Sequence, residues 1–127
     1  MLADLFPFRH QLRAGTLSAV QPLPEEHWEW KPPGGIHTVK SWLWHIAETE
    51  DRLSGREPRR RAPRAGREQV LAYLAESRAA TERLLQSASA DDRQMYETVR
   101  RIFAHETHHR AQIYLYIRLM GLQPPRT

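Results

Sequence analysis

The chain contains no cysteine. Disulfides, thiolate metal sites and a cysteine nucleophile are excluded, and any metal it binds must be held by nitrogen and oxygen. No apolar run approaches the roughly 20 residues of a membrane span, and Met1-Leu2-Ala3-Asp4 lacks the basic start and apolar core of a secretory signal. A cytoplasmic protein without a membrane segment is expected. No stretch alternates apolar and polar residues as a half-buried strand does. At 127 residues and 40% hydrophobic content there is room for one core, so residues 1–127 are expected to form a single domain.

The net charge of +4 and a pI near 10 raise the question of an anionic partner. Most of the excess sits in one short segment: Arg52, Arg56, Arg59, Arg60, Arg61, Arg64 and Arg67, mixed with Pro58, Pro63 and two glycines. No aromatic residue is interleaved there to stack on bases. The segment reads as a solvated loop, and nucleic acid is not an expected partner.

Four helices can be traced. Asp4 can cap a first one over about residues 5 to 20, with Phe8, Leu12, Thr16 and Ala19 facing inward until Pro22 and Pro24. The following Trp28-Glu29-Trp30-Lys31-Pro32-Pro33-Gly34-Gly35 holds too many breakers for a regular element and should be an ordered connector whose tryptophans cover the core. Thr38 caps the second helix, with Val39, Trp42, Ile46 and Leu53 inward and Ser54-Gly55 as its stop. The third runs from about Arg67 to Gln86 on Val70, Leu74, Ser77, Thr81 and Leu84 or Leu85. The fourth, roughly Asp91 to Met120, opens at a capping-box-like Ser89 to Asp92 and closes at Gly121 before Pro124 and Pro125. The expected fold is all-α, a four-helix bundle of antiparallel type.

The fourth helix carries the chemistry. Ile102, Ile113, Tyr116 and Met120 recur at helical spacing, and His105 and His109 fall on the same seam. Four residues make about one turn, so the two imidazoles share a face and can ligate one divalent cation through neutral nitrogens. An open mononuclear site needs about three protein ligands. His45 is the natural third, being the only other histidine inside a second helix on its inward side; His10 lies beside a stripe, and His27 and His37 lie in the connector. His108 points about 100° away from His109. The stretch also fits the His-Glu-x-x-His pattern of zinc proteases, with Glu106 as base. Those enzymes take a third ligand further along, and no His, Asp or Glu follows His109. A di-iron bundle needs two Glu-x-x-His pairs, and only Glu106 to His109 fits.

The connector WEWKPPGGIHTVKSWLWHIAETE, followed by AHETHHRAQIYLYIRLMG and a Pro-Pro pair, resembles the DinB/YfiT-like superfamily of four-helix-bundle metalloproteins over essentially the whole chain. There a Trp-x-Pro-x-Gly-Gly connector leads into a helix with one metal histidine, and the last helix carries His-x-x-x-His-Arg-x-Gln. The match falls on His45, His105 and His109, with Arg110 and Gln112 following; Ala111, where the family often has Gly, and the short arginine-rich link depart from it. The resemblance implies a divalent metal, commonly zinc or nickel, and often a homodimer. Some relatives are thiol-dependent S-transferases or isomerases that use bacillithiol, mycothiol or glutathione. For this chain it implies a metal-binding protein that activates a small-molecule thiolate as an S-transferase. The alternatives are a non-catalytic metal-binding stress-response protein and a zinc-dependent hydrolase. Glu48 and Glu106 are the carboxylates near enough to complete the coordination or orient a histidine, with solvated surface as the plainer reading of both. Tyr114 and Leu115, off the histidine seam, are free to face a partner.

Overall fold

The structure is a computed structural model describing residues 1–60 and 65–125. Those residues are all helical or irregular, with no strand among them. A 3-10 turn at Leu2–Leu5 precedes α1, Arg9–Val20; a one-turn helix, Glu25–Trp28, leads to α2, Val39–Leu53; α3 spans Arg67–Ser87 and α4 spans Arg93–Leu119.

The start of α1 differs from the expected one. Proline disfavours helical backbone in the residue before it, and Phe6, just before Pro7, stands at φ −127° and ψ 58°. That break separates the 3-10 turn from α1 and leaves Phe8 exposed, while Arg13 joins Leu12, Thr16 and Ala19 on the buried side. The cap of α4 is also displaced. Asp92, not Ser89, accepts from the Met95 N–H at 3.0 Å. Thr38 caps α2 as expected, accepting from the Ser41 N–H at 3.0 Å. Both α2 and α4 stop on a glycine at positive φ, Gly55 at 82° and Gly121 at 83°. At each end two crossed bonds close the last turn: Gly55 N–H to Arg52 and Arg56 N–H to Asp51, then Gly121 N–H to Arg118 and Leu122 N–H to Ile117.

Helix directions follow from contacts. His45 meets His105 while Trp42 meets His109, so α2 and α4 are antiparallel. Lys40 reaches Ala65, Trp44 packs on Tyr73 and Glu50 pairs with Arg78, so α2 and α3 run parallel. Arg9 pairs with Glu82 and Arg13 with Leu74, making α1 antiparallel to α3. The bundle is the expected four-helix one, but its order is up-down-down-up, with α2 and α3 parallel rather than of antiparallel type throughout. The described start of the arginine-rich link, residues 55–60, is tied to α2 and α3 through Arg56 and Arg59, while Glu57, Arg59 and Arg60 remain exposed. Arg56 binds Asp51 and the Ser77 carbonyl; the Arg59 N–H donates to Tyr73 Oη at 2.8 Å and its carbonyl accepts from Trp44 Nε1 at 3.1 Å. Arg61 and Arg64 lie outside the described residues.

The core has two apolar halves. One gathers Val20, Trp28, Leu43, Ile46, Tyr73, Leu74, Ile113 and Ile117; the other gathers Leu2, Phe6, Leu12, Leu85, Val99, Ile102 and Phe103. Each fully buried aliphatic side chain stabilises the fold by about 1.5–3 kcal/mol relative to exposure. Trp28 covers the core as expected, its indole N–H donating to the Val20 carbonyl at 3.1 Å. Between the halves lies a polar waist with one charge from each helix: Arg13, Glu50, Arg78 and Glu106. Arg13 donates twice to Glu106 at 3.0 Å, and Arg78 reaches Glu106 at 2.6 Å and Glu50 at 3.0 Å. Thr16 adds its hydroxyl to Glu106 at 2.8 Å.

Candidate metal centre

Because α2 and α4 are antiparallel neighbours, residues near the middle of each face one another. His45 on α2 meets His105 and His109, one turn apart on α4. Their ring centroids stand 4.9 Å from His45 in both cases and 4.2 Å from each other. One nitrogen from each of the three lies within 4.8 Å of the others, a grouping that could hold a metal ion. His45 Nε2 and His105 Nε2 are 3.2 Å apart.

Burial pushes all three imidazoles below their ordinary pKa. For His105 the value falls to about 4, with His109 and His45 adding to the effect. For His45 the neighbours adding to it are His37 and Arg52. In His109 burial outweighs the hydrogen bond to Gln112, which acts the other way. Three unprotonated imidazoles at neutral pH offer lone pairs and no repelling charge, which is the donor chemistry a divalent cation needs.

The surroundings fix the rings. His109 Nδ1 is 2.5 Å from Gln112 Oε1, so this nitrogen carries the proton and Nε2 is left as the free donor. The Trp42 ring stacks on His109 at 4.6 Å and 27°, and His37 packs on Trp42 at 4.2 Å. His37 is held by Ser41 Oγ at 2.8 Å and by the Tyr116 hydroxyl, which donates to its carbonyl at 2.9 Å. Trp42 Nε1 and Thr49 Oγ1, on the helical face of α2 that carries His45, are buried without a hydrogen-bond partner among the described residues. Sequence reasoning assigned Trp42 to the core and His37 to the connector. The signal for Trp42 was its spacing, three residues before His45.

The other candidates part ways. Glu48 lies outside the triad, its Oε1 4.0 Å from His45 Nδ1. Glu106 is neither surface nor site: it is fully buried in the waist, on the side of α4 turned toward α1. Burial alone would raise its pKa, but the guanidiniums of Arg13 and Arg78 and the Thr16 hydroxyl hold it down at about 2. His108 is exposed, as its angle predicts. Arg56, Arg59 and Arg67 are engaged with Asp51, Glu76 and the Gln21 and Leu23 carbonyls, away from the triad.

The sequence model of the DinB superfamily matches residues 10–113. No curated protein and no solved structure matches this chain.

Proposed function

This chain belongs to the DinB superfamily, and from that premise we propose that His45, His105 and His109 hold one divalent metal, zinc or nickel, in a thiol S-transferase. The observation that carries the reading is the convergence of one nitrogen from each of the three imidazoles within 4.8 Å of the others across the α2–α4 interface. Three protein ligands leave coordination open for a small molecule. The cation, when bound, would supply Lewis acidity that lowers the pKa of a thiol toward neutrality. The chain has no cysteine, so the thiol is a cosubstrate such as bacillithiol, mycothiol or glutathione. Its sulfur forms a bond to an electrophilic carbon, the leaving group departs with its bonding pair, and the thiol proton goes to solvent. Gln112 sets the tautomer of His109, and Trp42 with His37 keeps water from one side of the triad. A cytoplasmic location belongs to this reading, since small thiols are kept reduced there; no helix of the described residues is long and apolar enough to cross a membrane.

The hydrolase alternative needs Glu106 as a base beside the metal. Its two oxygens are instead committed to Arg13, Arg78 and Thr16. Pairing of two copies is a further part of the proposal. Tyr114 turns inward to the Gly15 carbonyl at 3.1 Å, which leaves Leu115 and Leu119, 52% and 57% exposed and one turn apart, as the surface. Light scattering at high micromolar concentration should return twice 14.9 kDa.

The deciding experiment assays metal-loaded protein with bacillithiol, mycothiol, glutathione and coenzyme A against a generic electrophile. A rate above the same metal free in buffer supports the transferase. Stoichiometric metal binding with no such rate sinks it and leaves the non-catalytic metal-binding protein.

A further inference from the structure

On the flank of α4 opposite the histidines, a groove of about 660 Å³ runs between α1 and α4. Positions 107, 110 and 114 fall roughly 140–200° around the helix from His105, so the groove does not open onto the triad. Its walls are largely apolar, formed by Phe8, Leu12, Ala14 and Pro125. One cation stands in it. The Arg110 guanidinium lies over the Tyr114 ring, 5.6 Å from its centroid. It can do so because residue 15 has no side chain: a Cβ on Gly15 would come within 2.8 Å of Arg110 Nη1. The Tyr114 hydroxyl, donating to the Gly15 carbonyl, pins the ring beneath it.

Arg110 differs from the other partly or fully buried arginines described here. Arg9, Arg13, Arg56 and Arg78 each meet a carboxylate, and Arg67 meets backbone carbonyls. Among the described residues Arg110 has no carboxylate within 4.0 Å and no hydrogen-bond acceptor. A half-buried guanidinium presents a planar fork of donors that matches a carboxylate bidentately. An apolar cleft of ~300–1,000 Å³ with one such group is the usual form of a site for a small amphiphile. We propose that this groove binds a monocarboxylate with an apolar body, its carboxylate on Arg110 and its chain or ring along Phe8 and Leu12.

The test titrates octanoate, and 1-octanol as its uncharged counterpart, into the full chain by calorimetry and amide NMR. It is run on zinc-loaded and on chelator-treated protein, because a carboxylate could also ligate a metal. The expected result is saturable octanoate binding in both forms, with shifts centred on Gly15, Thr107, Arg110 and Tyr114. Octanol should bind roughly tenfold more weakly, the factor for losing a charge-assisted hydrogen bond. Arg110→Met should lose about the same factor at an unchanged melting temperature, and Gly15→Ala should also weaken binding by displacing the guanidinium. Equal affinity for octanol and octanoate, full affinity in Arg110→Met, or shifts confined to the histidines overturns the proposal. So does a dimer that buries Phe8 and excludes octanoate, shown by sedimentation with and without the acid.

Discussion

His45 Nε2 and His105 Nε2 lie 3.2 Å apart across the α2–α4 interface. Two nitrogens on one tetrahedral zinc ion, each at ~2.0–2.1 Å, stand about 3.3–3.4 Å apart. Little movement of this pair is therefore required to admit the ion, with His109 closing the set within 4.8 Å. His45→Ala, His105→Ala and His109→Ala are each expected to abolish tight metal binding, whereas His108→Ala should keep it. Metal content by mass spectrometry on untagged protein measures this, and full occupancy in any of the first three removes that residue from the set.

Gln112 should matter without touching the metal. Its amide oxygen holds the proton of His109 on Nδ1, and loss of such a partner typically costs about 10–100-fold in metal affinity. Gln112→Leu is expected to fall in that range by competition with a chromophoric chelator, with the apo melting temperature little changed. Undiminished affinity would mean that Trp42 packing alone orients the ring.

Metal and fold should be coupled, because the unfolded chain does not hold the three imidazoles together. Metal at about 1,000 times its dissociation constant adds on the order of 4 kcal/mol. Chelation should lower the melting temperature of the wild type and leave that of His109→Ala where it was. Identical melting curves before and after verified removal would refute the coupling.

The waist sets the acid limit of stability. Glu106 has its carboxyl at about 2 when folded, below the ordinary 4.5. A carboxyl with a lower pKa in the folded state contributes stability that is complete above pH 4.5 and is lost as pH falls through about 2. Glu106→Leu should cost about 3–5 kcal/mol at neutral pH, since it leaves Arg13 and Arg78 to share Glu50 with one buried positive charge uncompensated. It should also flatten the pH dependence in that window, as followed by denaturant titration. A variant as stable as wild type at pH 7 and equally acid-sensitive would assign the dependence elsewhere.

The triad was legible because its signals are local: His105 and His109 share a face by spacing, and His45 sits on a helix with a clear cap and stop. The parallel run of α2 and α3 was not. It goes with where Arg56 and Arg59 dock, on Asp51, Ser77 and Tyr73, contacts that the composition of the link does not reveal. Glu106 was misread for a related reason. A glutamate beside a histidine motif resembles surface or catalysis when its partners, Arg13 and Arg78, lie 93 and 28 positions away. Phe8 was placed inside by periodicity, but Pro7 shifted the start of α1 and left it exposed.

Two arginines and two glutamates, one from each helix, cancel only as a set. Any single replacement leaves a buried charge without its counter-charge, while replacing partners together does not. A change that removes a charge at position 13, 50, 78 or 106 is therefore expected to be tolerated best together with loss of an opposite one. A lineage that gives up Glu106 is expected to give up Arg13 or Arg78 within the same short span of descent, so that four scattered codons are inherited as one character.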